Sequence, residues 1–175
     1  MKTGKMKTKE KPKVYLLTDA CVLIDFCKED MSLLGLVSRH LGKIIVPKPV
    51  LRKEVNQLTV EDCDRLGLVI YTPTMEQLEK AVIPRSGLSE QDKLCLFIAI
   101  DEGYSLFTND AALIKTAKKE KVDVHWGLEL IVRLAHKDII GHKQAIETAR
   151  NICRRTPFPE EIIMKEFQKL LSGSE

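Results

Sequence analysis

The sequence predicts a three-layer α/β/α sandwich with a central parallel sheet of about five strands and extra helices at its C-terminal end. Two observations lead to this fold class. Short apolar, β-prone runs alternate with helical runs over most of the chain, and the last stretch has helical periodicity only. Strands that are separated by helices need right-handed crossover connections, which make the strands parallel.

The individual elements follow from hydrophobic periodicity and from the residues that begin and end helices. Strands are predicted over residues 14–18, 43–47, 68–72, 105–108 and 122–126. Helices are predicted over 20–27, 31–41, 49–58, 74–83, 89–102, 111–121, 128–137, 142–154 and 160–171. The helix over 89–102 is apolar through its middle, which indicates burial, and Gly103 ends it.

The chain divides into three parts by composition. Residues 1–13 carry six lysines and one acid and are predicted to be a basic disordered tail. Such a tail either keeps the protein in solution or acts as a basic arm that touches RNA phosphates. Residues 14–141 form the predicted α/β domain, and residues 142–175 a helical extension that packs on the same domain.

The overall composition is that of an ordinary globular protein. With 175 residues, 44% of them apolar and 30% charged, the chain is long enough for one domain with a buried core. The net charge of +3 does not by itself indicate a nucleic-acid binder. The five cysteines have no zinc-ligand spacing, and the chain shows no signal peptide or membrane span. A reducing, cytoplasmic location is therefore expected, without membrane association.

Four acidic residues lie where a parallel sheet would present them to a ligand. Asp19 and Asp110 directly follow two predicted strands, at the start of the next helix. Glu54 and Asp92 fall in the first turns of two predicted helices that begin near the same edge. Because ligands of open α/β sheets bind at the carboxyl ends of the strands, these acids are candidates for one common site.

Each of these acids also has an ordinary structural explanation. Asp19 and Asp110 are placed to cap helices, since aspartate is a favoured N-cap residue. Ser89 and Asp92 are spaced as in a capping box, with Asp in place of Glu. Glu54 could be a solvated helix residue. Four acids arranged in this way are nevertheless more than capping requires.

Four stretches of the chain resemble conserved blocks of PIN domains. They are the strand and helix start over residues 15–24, the strand and helix over 46–55, the "LSxxD…A.A" helix over 87–100 and the "L.TnD..L...A" block over 106–117. The resemblance extends over about residues 14–141. The last two blocks are fairly specific, whereas the first two are weak when taken alone.

The resemblance implies roles for individual residues. It makes Asp19, Glu54, Asp92 and Asp110 the metal-binding and catalytic acids, for Mg²⁺ or Mn²⁺, whose preferred ligands are carboxylate oxygens. It makes Thr108 and Asn109 supporting residues. By contrast, Asp25, Asp101 and Glu129 match no motif and are interpreted as surface charges. Basic residues near the acids are candidates for contacts with RNA, namely Lys48, Arg52, Lys53, Arg85, Lys115 and Lys118.

The function that follows is a divalent-metal-dependent ribonuclease that cleaves phosphodiester bonds with a metal-activated water. The resemblance extends to VapC-like toxins, so RNA, a partner antitoxin protein and a homodimer are expected as partners. The basic tail and the helices over 142–175 depart from the compact toxin form. Two alternatives stay open. One is a catalytically silent PIN module that binds RNA or protein, and the other is an aspartyl-phosphate enzyme, which Cys21 disfavours because such enzymes carry an acid at that position.

Overall fold

The fold is built on one parallel five-stranded sheet. A computed structural model describes residues 13–84, 87–157 and 159–173. The strands are β1 (Tyr15–Thr18), β2 (Lys43–Pro47), β3 (Val69–Tyr71), β4 (Ser105–Thr108) and β5 (Val124–Trp126). Their order across the sheet is β3-β2-β1-β4-β5, and all four neighbouring pairs are parallel. The three-layer α/β/α class predicted from the sequence is confirmed.

Helices connect the strands and extend the chain beyond β5. They are α1 (Ala20–Asp30), α2 (Ser32–His40), α3 (Lys48–Lys53), α4 (Val60–Leu66), α5 (Met75–Val82), α6 (Glu90–Glu102), α7 (Ala111–Lys119), α8 (Glu129–His136), α9 (His142–Arg154) and α10 (Glu160–Ser172). Within the three described ranges, no helix has both the length and the apolar character needed to cross a bilayer.

One segment differs from the sequence prediction. The single helix predicted over residues 49–58 was wrong, because α3 ends at Lys53 and the separate helix α4 begins at Val60. The start of α4 is fixed by a capping box in which Thr59 and Asp62 satisfy each other's backbone N–H groups. This local signal is stronger than the propensity to continue α3, and Gly67, with a φ of 73°, ends α4.

Both faces of the sheet are covered. Successive residues of a strand point to opposite faces, and yet both Leu16 and Leu17 of β1 are buried, as are Leu106 and Phe107 of β4. Helix α6 packs against β1 and β4 with a nearly continuous apolar surface. This double coverage explains why the central strands consist of unbroken apolar runs instead of alternating ones.

The C-terminal helices continue the same core. Helix α9 packs against α1 and α8, and α10 packs against α8 and α9. Phe167 of α10 is fully buried, as are Ala145 and Ala149 of α9. The predicted boundary between residues 141 and 142 stays a prediction, and residues 1–12 of the predicted basic tail lie outside the described residues.

The strand order creates one switch point, between β1 and β4. These strands are neighbours although β2 and β3 lie between them in the chain, so the connections from β1 and β4 lead away to opposite sides. Thr18 of β1 lies opposite Phe107 of β4, which brings the following residues Asp19 and Thr108 side by side. Ligands of open α/β sheets bind in the crevice at this kind of position.

Leu17→Ala tests how far the core depends on the central strand. Leu17 is fully buried on β1, so its truncation removes apolar contacts and leaves a cavity. We expect the free energy of unfolding to fall by about 2–5 kcal/mol. Urea unfolding followed by circular dichroism measures the change. As a control, Ile162→Ala on α10, at a side chain that is 63% exposed, should change the stability by less than about 0.5 kcal/mol.

Candidate functional site

Asp19 lies at the centre of the candidate site. It follows β1, caps α1 and is only 2% exposed. Its Oδ1 accepts a hydrogen bond from Val22 N at 3.0 Å, and its Oδ2 accepts one from the hydroxyl of Thr108. Its backbone N–H donates to Phe107 O at 3.2 Å, which continues the β1–β4 pairing. The carboxylate is therefore fixed in orientation by two strands and a helix.

Thr108 links Asp19 to Asp110. Its side chain is fully buried, and its hydroxyl oxygen also accepts a hydrogen bond from Asp110 N at 3.0 Å. Asp110 then caps α7, with Oδ1 accepting from Leu113 N at 2.7 Å. One threonine hydroxyl thus contacts two candidate acids and fixes their relative positions.

Asp92 reaches the same region from the first turn of α6. Ser89 and Asp92 form the capping box that the sequence suggested, with Ser89 N donating to Asp92 Oδ2 at 3.2 Å and Asp92 N donating to Ser89 Oγ at 3.1 Å. Asp92 is half-buried. Its carboxylate therefore has a structural task, in addition to any part in a site.

Glu54 occupies a different position from the one predicted. It was expected in the first turn of a helix, but α3 is so short that Glu54 is its C-terminal cap, with Glu54 N donating to Val50 O at 3.0 Å. The residue is half-buried. Burial first, and then the nearby Asp92, raise the pKa of its carboxyl, while Lys53 lowers it. Glu54 and Asp92 are thus close enough to affect each other.

The electrostatics of the site disfavour a charged Asp19. The pKa of Asp19 is raised from 3.8 to about 7, mainly by burial and to a smaller extent by repulsion from Asp92 and Asp110. The hydrogen bonds from Thr108 and Val22 act in the opposite direction, because they stabilise the carboxylate. Desolvation is the larger effect, so the carboxyl group of Asp19 ionises at a cost.

Three of the four candidate acids lie close enough to Cys95 on α6 to affect the pKa of its thiol. Its pKa is raised well above the ordinary value, first by burial and then by Asp19, Asp92 and Glu54. Cys21 has a pKa of about 12, raised first by burial and then by several acids that include Asp19 and Asp110. The four predicted acids therefore lie in one region of negative potential around the switch point.

The four candidate acids lie in one region, but they do not form a coordination shell. Among the residues that the structure describes, no three His, Cys, Asp or Glu side chains are arranged so that they could hold a metal ion. The hydrogen bonds of Asp92 and Asp110 explain this, since both carboxylates are turned towards backbone N–H groups at helix starts. The donor type suits Mg²⁺ or Mn²⁺, but the side-chain positions are those of helix caps.

Asn109 joins the site to two further elements. Its Nδ2 donates to Asp25 Oδ2 on α1 at 3.3 Å, and its Oδ1 accepts from Gly127 N at 3.0 Å, just after β5. Asp25 was interpreted as a surface charge from the sequence, but it is half-buried and burial raises its pKa. No sequence motif marks this contact, because residues 25 and 109 meet only through the β1–β4 pairing.

Five of the six predicted RNA-contacting residues lie within the described part of the chain. Lys48 and Arg52 line two adjacent surface grooves beside β3. Lys53 is exposed and forms an ion pair with Glu90 at 3.4 Å, while Lys115 and Lys118 are exposed on α7. Arg85 lies outside the described residues. Surface ion pairs contribute little energy, so Lys53 could exchange its partner for a phosphate at small cost.

One solved structure resembles this chain. It is a PilT N-terminus domain protein from the hyperthermophilic archaeon Sulfolobus solfataricus, and it is 14% identical, with a TM-score of 0.51 over 67% of this chain and 90% of that chain. The chain has the fold of a PIN domain. No protein-family model and no curated protein matches the sequence. At this identity the likeness concerns the PIN fold alone, so the chemistry has to be argued from the residues.

Asp19→Asn should change how stability depends on pH. In the wild type, the folded state binds a proton at Asp19 up to about pH 7, whereas the unfolded chain releases it near pH 4. The native state therefore binds more protons between these values, and stability falls as the pH rises from about 4 to about 7. Asparagine keeps the cap and cannot ionise. Urea unfolding across this range should give a difference between variant and wild type that grows with pH; a constant difference would contradict the raised pKa.

Gly127→Ala tests the packing behind Asn109. A Cβ at this position would lie 2.5 Å from Val22 Cγ2 and 2.8 Å from Asn109 Oδ1, so neighbouring groups must move. We expect a loss of about 1–3 kcal/mol in the free energy of unfolding. Gly141→Ala is the matched control, because its Cβ would meet nothing within 4 Å. Equal stabilities of the two variants in urea would show that the Asn109 contact tolerates displacement.

Proposed function

We propose that the protein is a divalent-metal-dependent ribonuclease whose site is formed by Asp19, Glu54, Asp92 and Asp110. The observation that carries this proposal is the buried carboxylate of Asp19, which ionises at a cost beside Asp92 and Asp110. It stands at the switch point of a PIN fold. A carboxyl group kept in such surroundings is better explained by a cation that compensates its charge than by helix capping alone, which exposed aspartates perform equally well.

The donor set fits Mg²⁺ or Mn²⁺ by its chemistry, because carboxylate oxygens are the ligands that these ions prefer. Asp19 is already oriented, whereas Asp92 and Asp110 would have to turn away from the N–H groups that they cap. Replacing a cap costs about 0.5–2 kcal/mol, which a charge-compensating ion can offset. The bound ion would supply Lewis-acid activation of a water and stabilise charge on the leaving oxygen.

The chain's own residues would prepare the site for a phosphodiester. Thr108 holds the Asp19 carboxylate and the backbone of Asp110 at fixed positions. Lys48 and Arg52, in the grooves beside β3, would attract the phosphates of a strand towards an otherwise negative region. This attraction is needed because an acidic cluster alone repels the substrate.

A catalytically silent PIN module that binds RNA or protein is the second candidate. It is favoured by one observation, namely that no group of three metal-binding side chains is formed among the described residues. In this alternative, Asp92 only completes the capping box of α6 with Ser89, and Asp110 only caps α7. The two candidates differ in whether metal binds, so one set of measurements separates them.

Restraint by an antitoxin protein and assembly as a homodimer belong to the same proposal. They rest on the resemblance of the sequence blocks to VapC-like ribonucleases. The helices α9 and α10, which pack on the core beyond β5, would then modify the surface that such partners use.

Cleavage of labelled RNA tests the ribonuclease directly. The purified protein should cut RNA with Mg²⁺ or Mn²⁺ and stop when EDTA is added. Asp19→Asn and Asp110→Asn should each lower the rate by at least about 100-fold, since even outer-shell partners of a metal contribute 10–100-fold. Asp64→Asn, an exposed acid on α4, is the matched control and should cut like the wild type.

The outcomes separate the two candidates. Equal cutting by the wild type and both site variants would assign the activity to a contaminant. Absence of cutting, together with calorimetry that detects no binding of Mn²⁺, would favour the silent module. Binding of Mn²⁺ that Asp19→Asn abolishes, with cutting lost in parallel, is the result that the ribonuclease proposal requires.

A further inference from the structure

A cavity of about 460 Å³ opens beside Asp110. It lies between α1, the start of α7, the end of β5 and residues 155–157, which follow α9. Its volume is within the range of about 300–1,000 Å³ that small-molecule sites occupy. Asp110 and Asn109 belong both to its wall and to the candidate site, so the cavity adjoins that site.

The wall of the cavity is mainly apolar and includes an aromatic ring. Ile24 and Cys21 contribute from α1, Ile152 from α9, and Ala112 from the first turn of α7. Trp126, the one tryptophan of the chain, lines the cavity from the end of β5. It is opposite Thr108 in the β4–β5 register, so the indole is held at the same sheet edge as the acids.

The polar groups of the wall include both donors and acceptors. Asp25 supplies a carboxylate that accepts from Asn109 Nδ2 at 3.3 Å. Arg155 supplies a guanidinium that is held in place, with Nη2 donating to Asp25 O at 3.3 Å and Nη1 donating to Glu29 Oε2 at 3.2 Å. A pocket that offers both kinds of group within an apolar wall selects a flat molecule with a hydrogen-bonding edge.

The charges of the wall exclude other occupants. Asp25 and Asp110 repel a phosphate from the interior, so an anionic group has to stay outside. Asp25 and Arg155 already have partners in the protein, but a purely aliphatic chain would screen their remaining acceptor and donor positions from water, which costs free energy. A nucleobase satisfies both conditions, since it is neutral, stacks on an aromatic side chain and carries donors and acceptors on its edge.

We propose that this cavity is a nucleobase subsite, which takes an unstacked base of single-stranded RNA next to the phosphodiester at the acidic site. The inference rests on the proposed ribonuclease function and adds the substrate class, because only a single strand can turn a base out into such a cavity. Duplex RNA is excluded as a substrate, since its bases are paired and stacked.

Trp126 provides its own reporter for this inference, because no other tryptophan contributes to the fluorescence. Neutral ribonucleosides (adenosine, guanosine, cytidine and uridine) are titrated into the protein in EDTA, with excitation of tryptophan alone. The nucleosides carry no phosphate and EDTA removes metal, so the readout depends on neither cleavage nor metal binding. We expect saturable quenching in the millimolar range by at least one nucleoside, and N-acetyltryptophanamide measures the collisional quenching to be subtracted.

Two variants and a matched control locate the binding. Ala112→Phe adds a ring at the cavity wall from an exposed position, and Arg155→Gln removes the guanidinium. Both variants should weaken nucleoside binding, Ala112→Phe by at least about tenfold, because the added ring fills space that a base stacked on Trp126 would occupy. Gln144→Phe adds the same ring at an exposed position on α9 away from the cavity and should bind like the wild type. Circular dichroism checks that all variants are folded.

The outcomes decide between this subsite and its alternatives. Quenching that does not saturate, or that is equal in wild type and Ala112→Phe, overturns the inference even if RNA is cleaved. Saturable quenching by N-acetylleucinamide without any by nucleosides also overturns it, in favour of an apolar side chain from a partner protein. Nucleoside binding that Ala112→Phe removes supports the subsite, and if RNA is then not cut in Mg²⁺ it is the ribonuclease function that fails.

Discussion

The hydrogen bond from Thr108 to Asp19 joins two strand ends that are 89 residues apart in the chain. It forms only because β1 and β4 are neighbours, and that adjacency is the switch point of the sheet. Thr108 also accepts from Asp110 N, so a single buried hydroxyl positions the starts of both α1 and α7. The geometry of the acidic region, the connection through Asn109 and the cavity beyond it all depend on this contact.

The candidate acids serve two purposes that compete. Asp19 and Asp110 as N-caps, and Asp92 as the third residue of a capping box, satisfy backbone N–H groups that would otherwise be orphaned. A cap contributes about 1 kcal/mol to stability. As ligands they would turn towards a shared ion. This double use allows the chain to fold around an acidic cluster without metal, since the helix starts hold Asp92 and Asp110 in positions where their charge is favourable. Asp19 differs from them, because burial leaves its charge poorly compensated.

The turn after β5 supports the candidate site through its contact with Asn109. Gly127 leaves no room for a side chain, so the turn after β5 approaches Val22 and Asn109 closely. Asn109 in turn holds Asp25, which lies in the cavity wall beside Arg155. The contacts of Asn109 therefore support both the candidate site and the wall of the cavity. A substitution that disturbs these contacts should affect both.

Local patterns in the sequence determined the strands, most of the helices and the positions of the acids at their ends. They succeed because hydrophobic periodicity and capping depend on neighbours within a few residues, as at Ser89 and Asp92. The same kind of signal at Thr59 and Asp62 would have separated α3 from α4. Tertiary structure alone decided that Asp25 meets Asn109 and that Trp126 borders a cavity. These contacts join residues that are brought together by crossovers between strands, so they cannot be predicted from the spacing of residues along the chain.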